Sequence, residues 1–220
     1  MSSTIPLYNE LHVSSYIERS VQMENITEQF FYEQLAKHKV IASVKDPKSL
    51  DLAIKYKHHL SAVMLMTGNI LSVKDYVQLL HRHHLPVILD IEKIGGLKTD
   101  YYGIDFVKRV VKPFGIVTNK TSDIKKAKAN KLYVIQRIFL IDTEVLENLR
   151  EGVADIKADM IEVLPSRLPD ITKEIVQFSH VPIITGGFLN DVQYIDESIE
   201  SGAKGVVTSN HDIWKKPYTR

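Results

Sequence analysis

The 220-residue chain contains no cysteine, which excludes disulfides and thiolate metal sites and fits a reducing compartment. It has almost no surplus of charge. The 28 Lys and Arg residues against 27 Asp and Glu leave a formal net charge of +1 at pH 7. No global field therefore draws it to nucleic acid or to a membrane, and such a partner must use a local patch. No apolar run reaches the ~18 residues of a membrane span. Glu10, Glu18, Arg19 and Glu24 interrupt any apolar signal-peptide core near the start. The expectation is a cytoplasmic protein. The sequence also lacks a P-loop, a dinucleotide-binding glycine fingerprint and a Gly-x-Ser-x-Gly elbow. Its histidines, including His58, His59, His81, His83 and His84, match no metal-binding spacing and fall in presumed surface helices, so no metal is expected.

What is present is an ordinary globular composition, 44% hydrophobic and 25% charged, long enough to bury one core. From residue 40 onward, short apolar runs alternate with helical-looking segments. The runs are Val40–Val44, Ala62–Met66, Val87–Ile91, Gly115–Thr118, Tyr133–Phe139, Met160–Leu164, Pro182–Thr185 and Gly205–Thr208. Their starts lie about 20–30 residues apart, the size of one βα unit. Near-continuous apolar strands between helices indicate a parallel sheet covered on both faces, and eight such units indicate a closed α/β barrel of the TIM-barrel (β/α)8 type. Asp142 and Asp191 are expected to cap helices, and Gly202 to close one. Val73, Val77 and Leu80 share a helical face. The helix over about residues 121–131 is short, so truncated helices, or an incomplete barrel, are an alternative. Residues 1–39 stand outside the rhythm as an amino-terminal extension before a barrel domain over 40–220. Asn25–Lys39 reads as an amphipathic helix able to plug the amino-terminal end of the barrel, and residues 1–20 are expected to be poorly ordered.

In such barrels ligands sit at the carboxyl ends of the strands. The polar residues there are Asp90 and Glu92, Thr118 and Asn119, Gln136 and Arg137, Glu162, Gly186 and Gly187, and Ser209 and Asn210. The two-residue period of a strand predicts that Asp90 and Glu92 share a face. Gly186-Gly187 lets a backbone approach a ligand closely. With Thr208-Ser209-Asn210 it forms the expected phosphate cradle, because the loops after strands seven and eight hold phosphates in this fold. The plainer readings are a turn at Gly-Gly, a helix cap at Asn210, a satisfied strand end at Asp90 and Glu92, and a structural pair between Arg137 and Glu162. The lysines at 120, 125, 126, 128 and 131 read as a solvated helix face or as a contact for nucleic-acid backbone.

Taken in order, the stretches Gly96-Leu97-Lys98-Thr99-Asp100, Ile135 to Asp142, Ile161-Glu162-Val163-Leu164-Pro165, Gly186-Gly187-Phe188 and Val207-Thr208-Ser209-Asn210, closing on Trp214, resemble the glycerol-3-phosphate responsive antiterminator family. The resemblance is good over about residues 87–215, weaker over 40–86 and absent over 1–39. It implies a TIM-barrel-like regulator rather than an enzyme, with glycerol 3-phosphate as effector and no cofactor. Its partner would be the leader mRNA of glycerol-utilisation genes, on which the family acts so that transcription passes a terminator. Carried over by position, it implies a ligand mouth of Glu92, Lys98, Arg137, Glu162, Gly186, Gly187 and Ser209. The strand ends add Asp90, Gln136 and Asn210. Self-association into a homo-oligomer stays open. The chain departs from the family pattern in having Glu92-Lys93-Ile94-Gly95-Gly96-Leu97 for Asp-Leu-Ile-x-Gly-Leu, Ser166 for glycine, Asn119 for the threonine that usually ends strand four, and Met66-Thr67-Gly68 where strand two often ends in an acid. The alternative is a barrel enzyme, such as an isomerase, aldolase or synthase of a small phosphorylated substrate, using Asp90, Glu92 and Glu162 as acids and bases. No lysine within a strand run serves as a Schiff base.

Overall fold

A computed structural model describes residues 26–219. The expected poor order over residues 1–20, and Asn25 as a helix start, lie outside the described residues. Eight parallel strands close into a barrel in chain order: β1 (Val40–Val44), β2 (Ala62–Leu65), β3 (Val87–Asp90), β4 (Gly115–Thr118), β5 (Tyr133–Phe139), β6 (Met160–Leu164), β7 (Ile183–Gly186) and β8 (Val206–Thr208). The ring is sealed by β1 against β8, with Ile41 opposite Val207, so the barrel is complete rather than partial. The strand bounds follow the apolar runs to within about two residues. β7 begins at Ile183 instead of Pro182 because proline has no N–H to give the ladder. Pro182 still accepts from Ile161 N at 3.0 Å.

The strands read as continuous apolar runs because both of their faces are buried. Ile41, Met64, Ile88, Val117, Ile135, Met160, Ile184 and Val207 alternate inward and fill the barrel. Val40, Ala42, Val63, Leu65, Leu89, Ile116 and Val134 alternate outward beneath the helices. Those helices are α1 (Glu28–His38), α2 (Ser49–Lys55), α3 (Val73–Arg82), α4 (Tyr101–Phe106, continued by a π turn over Val107–Val111), α5 (Thr121–Ala129), α6 (Thr143–Gly152), α7 (Pro169–Phe178), α8 (Val192–Glu200) and α9 (His211–Trp214). The caps fall where the sequence puts them. Asp142 accepts from Val145 N at 3.0 Å and Asp191 from Gln193 N at 3.0 Å. Gly202 follows α8 at φ +102°, a conformation that a side chain resists. Val73, Val77 and Leu80 are the buried face of α3, and α5 is indeed short.

Helix α1 closes the amino-terminal end of the barrel. Thr27 caps it by accepting from Phe30 N, and Phe31 and Leu35 are fully buried in the same cluster as the inward strand residues. The Phe31 ring lies 4.7 Å from that of Phe114 and 5.7 Å from that of Tyr133. The hydroxyls of Tyr32 and Tyr133 hydrogen-bond at 2.8 Å. At the chain's other end the Trp214 indole N–H donates to Thr208 O at 3.0 Å, and His59 Nδ1 donates to Trp214 O at 3.1 Å, which ties α9 to the first βα unit. With α1 over its amino-terminal end, the barrel opens at the carboxyl ends of its strands. No helix among the described residues is long and apolar enough to cross a membrane.

Candidate functional site

At that open end lies a cavity of about 590 Å³. Its floor is built by three charged residues that strand alternation turns inward. Arg137 on β5 stands opposite Glu162 on β6 and donates from Nε to Glu162 Oε2 at 2.7 Å. Its Nη1 donates to Asp90 Oδ2 on β3 at 2.5 Å, and its Nη2 points to Met64 Sδ at 3.0 Å. All three side chains are at most 8% exposed. One guanidinium thus serves two buried carboxylates, where an unpaired charge is costly. Burial pushes the Glu162 carboxyl above its ordinary value, a rise that Arg137 opposes. Burial acts to lower the Arg137 pKa, but the two carboxylates outweigh it and hold the guanidinium protonated.

The walls come from the loops after β7, β8, β1, β3 and β6. Gly187, at φ +81°, and Ser209 line the cavity, as does Asn210. Asn210 also works as a cap: its Oδ1 accepts from Asp212 N at 2.9 Å and its Nδ2 donates to Asn190 O at 3.3 Å. Gly186 has a different role from the one its sequence suggests. A Cβ there would stand 3.0 Å from Glu162 Oε1 and 3.1 Å from Leu164 Cδ2, so its lack of a side chain makes room for the floor carboxylate. Changing Gly186 to alanine is expected to displace Glu162 and to cost about 1–3 kcal/mol, readable as a lower midpoint in urea unfolding. Ser166 is buried, and its Oγ donates to Gly187 O at 2.6 Å while its N–H donates to Gly186 O at 2.7 Å. Ser166 therefore fixes the β7 loop from behind.

Several expected site residues lie elsewhere. β3 ends at Asp90, so its two-residue period does not carry on to Glu92. Glu92 sits in the following turn, where its Oε1 accepts from Thr118 Oγ1 at 3.1 Å and lies 3.8 Å from Lys120 Nζ. Asp90 is fully buried under Arg137 and does not line the cavity. Lys98 is exposed in the loop before α4 and does not line it either. Gln136, one residue from the inward Arg137, is on the outward face of β5, in a groove that Asn119, Lys125 and α6 also border. Of the lysines over 120–131, Lys126 is bonded to Thr99 O and Asp123, and Lys128 to both oxygens of Asp159, so much of that face is internally paired.

Among the lining residues that sequence reasoning did not select as ligand contacts are Lys45, Lys93, Arg167 and Phe188. Each follows a strand end by one to three residues, at β1, β3, β6 and β7 respectively. Inspecting the first three positions past every strand, whatever their type, would have found them. The lining then holds the cations Lys45, Lys93, Arg137 and Arg167; Arg137 is answered by Glu162 and by Asp90, which leaves Lys45, Lys93 and Arg167 as the positive charge of the mouth. That balance attracts an anion, and the polar floor suits hydroxyl groups. No group of three or more side chains suited to hold a metal occurs among the described residues. Burial lowers the His81 pKa to about 4, so this α3 histidine is neutral near pH 7.

The profile of the family described as glycerol-3-phosphate responsive antiterminator matches residues 40–214. The Escherichia coli (strain K12) protein YgcP is 29% identical over 180 residues, covering 82% of this chain and 93% of that one. The crystal structure of the glycerol uptake operon antiterminator regulatory protein from Listeria monocytogenes is similar with a TM-score of 0.75 and 28% identity, covering 80% of this chain and 95% of that one. An N-acetylmannosamine-6-phosphate 2-epimerase from Clostridium perfringens, at 14% identity and a TM-score of 0.60 over 83% of this chain and 89% of that one, shares the fold alone.

Proposed function

Given that the chain belongs to the glycerol-3-phosphate responsive antiterminator family, we propose that it is a cytoplasmic regulator. On this reading it binds glycerol 3-phosphate, or a similar polyol phosphate, at the barrel mouth and then acts on the leader mRNA of glycerol-utilisation genes. The observation that carries the reading is the cavity lining, in which Lys45, Lys93 and Arg167 stand over a floor where Arg137 is already paired with Glu162 and Asp90, at the strand ends where barrels of this class hold phosphates. In this arrangement the phosphate sits against Gly187 and Ser209, within the field of Lys45, Lys93 and Arg167. The glycerol hydroxyls reach the floor. Glu162 Oε2 is taken by Arg137, which leaves Oε1 as the acceptor.

The same floor favours a binding protein over an acid–base enzyme. Arg137 holds Asp90 and Glu162 together, and proton transfer by either acid would first have to break that ion pair. The barrel enzymes that share the fold do so at low identity and bring no chemistry with them.

The test is a thermal melt with glycerol 3-phosphate, glycerol and inorganic phosphate in parallel. At a hundredfold excess over Kd, glycerol 3-phosphate is expected to add about 2.7 kcal/mol of stability, a rise in Tm of about 5–10 °C for a domain of this size. Glycerol is expected to give none, and phosphate much less. An equal shift with phosphate alone, or steady turnover of triose or polyol phosphates by the purified protein, would overturn the reading.

A further inference from the structure

We infer that the rim of this cavity is itself the RNA-binding face, taking an unpaired RNA segment whose bases stack on Phe188 and Phe139; the inference rests on the regulator reading above. Phe188 is 75% exposed and Phe139 is 48% exposed, and both border the cavity. Among the described residues neither ring stacks on another aromatic ring, so the exposed part of each is available to a partner. Ile141, 79% exposed two residues beyond Phe139, extends the apolar edge. Flat, exposed aromatic rings beside cations are what single-stranded nucleic acid uses, because every base has a π face and every linkage a negative charge. The cations are there. Lys45 and Lys93 are exposed and have no carboxylate partner among the described residues, and Arg167 lies with its guanidinium 3.8 Å over the Tyr194 ring. Glu162, the one carboxylate in the cavity lining, is buried at the floor and turned toward Arg137.

The backbone links this rim to the effector. Gly187 and Phe188 are consecutive residues of positive φ, +81° and +58°. Phe188 carries a Cβ and resists that conformation, and little packing holds so exposed a ring in place. Ser166 restrains the turn through the Gly187 carbonyl. A phosphate on the Gly187 amide would restrain it from the other side, and so fix the direction of the next side chain. Effector binding would thus favour the arrangement of Phe188 that accepts a base. The cavity, at about 590 Å³, is far larger than a three-carbon phosphate fills, so a base or a backbone phosphate has room above the effector.

The competing surface is the lysine-rich flank over residues 108–131. Four of its eight cations are answered at home, Arg109 by Asp105, Lys120 by Glu92, Lys126 by Asp123 and Lys128 by Asp159, and no aromatic ring of that flank borders the cavity.

The test uses the full chain. RNA is first selected from a random-sequence pool by the wild-type protein with glycerol 3-phosphate present, then rebuilt with 4-thiouridine, cross-linked by ultraviolet light and mapped by mass spectrometry. Cross-links are expected on the peptides carrying Phe139 and Phe188. The double variant Phe139→Ser, Phe188→Ser alters exposed positions only. It is expected to bind the selected RNA at least about tenfold more weakly, while its melting shift with glycerol 3-phosphate shows whether the floor is still loaded. Cross-links confined to the flank over residues 108–131, or RNA affinity in the double variant within about twofold of wild type, would overturn the inference and leave the regulator reading standing. Failure of the wild-type protein to select any RNA would remove the regulator reading and the inference together.

Discussion

Replacing Arg137 with methionine is expected to destabilise the fold by about 3–5 kcal/mol, the cost of leaving buried carboxylates without their cation. Two are stranded at once. Asp90 and Glu162 are each at most 2% exposed, and Arg137 is the partner of both. Arg137→Lys should recover only part of the loss, because an ammonium cannot copy the fork that reaches β3 and β6 together. Urea unfolding of the three proteins at neutral pH measures this directly. A loss under about 1 kcal/mol in Arg137→Met would mean that water reaches the floor and solvates the acids.

The pH dependence has a definite sign. The folded pKa of Glu162 is raised above its ordinary value of 4.5. The stability this group contributes is therefore fully present below 4.5, and it is lost as pH rises through the folded value. The difference in unfolding free energy between wild type and Glu162→Gln isolates the group. Relative to the variant, wild type should gain on moving from neutral to mildly acid pH. With Arg137 replaced the gain should grow, because the opposing cation is gone.

Phe31→Ala is expected to cost about 3–5 kcal/mol, the range for truncating a fully buried aromatic. Phe31 has no exposed surface, and its ring rests on Phe114 and Tyr133 at the closed end of the barrel. The change leaves a void in the layer beneath the strand residues, and that layer cannot collapse without moving α1. The effect should appear in the melt of the free protein. The further rise on adding glycerol 3-phosphate should be kept, since the plug and the mouth are at opposite ends. A loss below about 1 kcal/mol would mean that α1 packs loosely and the barrel stands without it.

The two ends of the molecule differ in how far they could be read from the chain alone. The barrel was legible because its strands are buried on both faces, so most appear as near-continuous apolar runs such as Val40–Val44 or Ala62–Leu65. The caps Asp142 and Asp191 and the turn at Gly202 were legible because they act on backbone a few residues away. Arg137 and Glu162 stood out because charges inside such runs must find partners. The choice between Arg137 and Gln136 was not legible. It depends on which strand face turns inward, and a one-residue change of face reverses it. Glu92 was misplaced because β3 ends two residues before it, and a turn does not keep the strand's period.

The sequence by itself determined the eight βα units, their helix ends and the presence of costly charges within three of the strands, because propensity, capping and burial act through neighbours along the chain. Only the tertiary structure decided that Asp90, Arg137 and Glu162 form one floor, that Gly186 makes room for Glu162, and that Lys45, Lys93, Arg167 and Phe188 ring the mouth. These contacts join residues far apart in sequence. Barrel closure brings them together, and the number, register and facing of all eight strands fix that closure jointly.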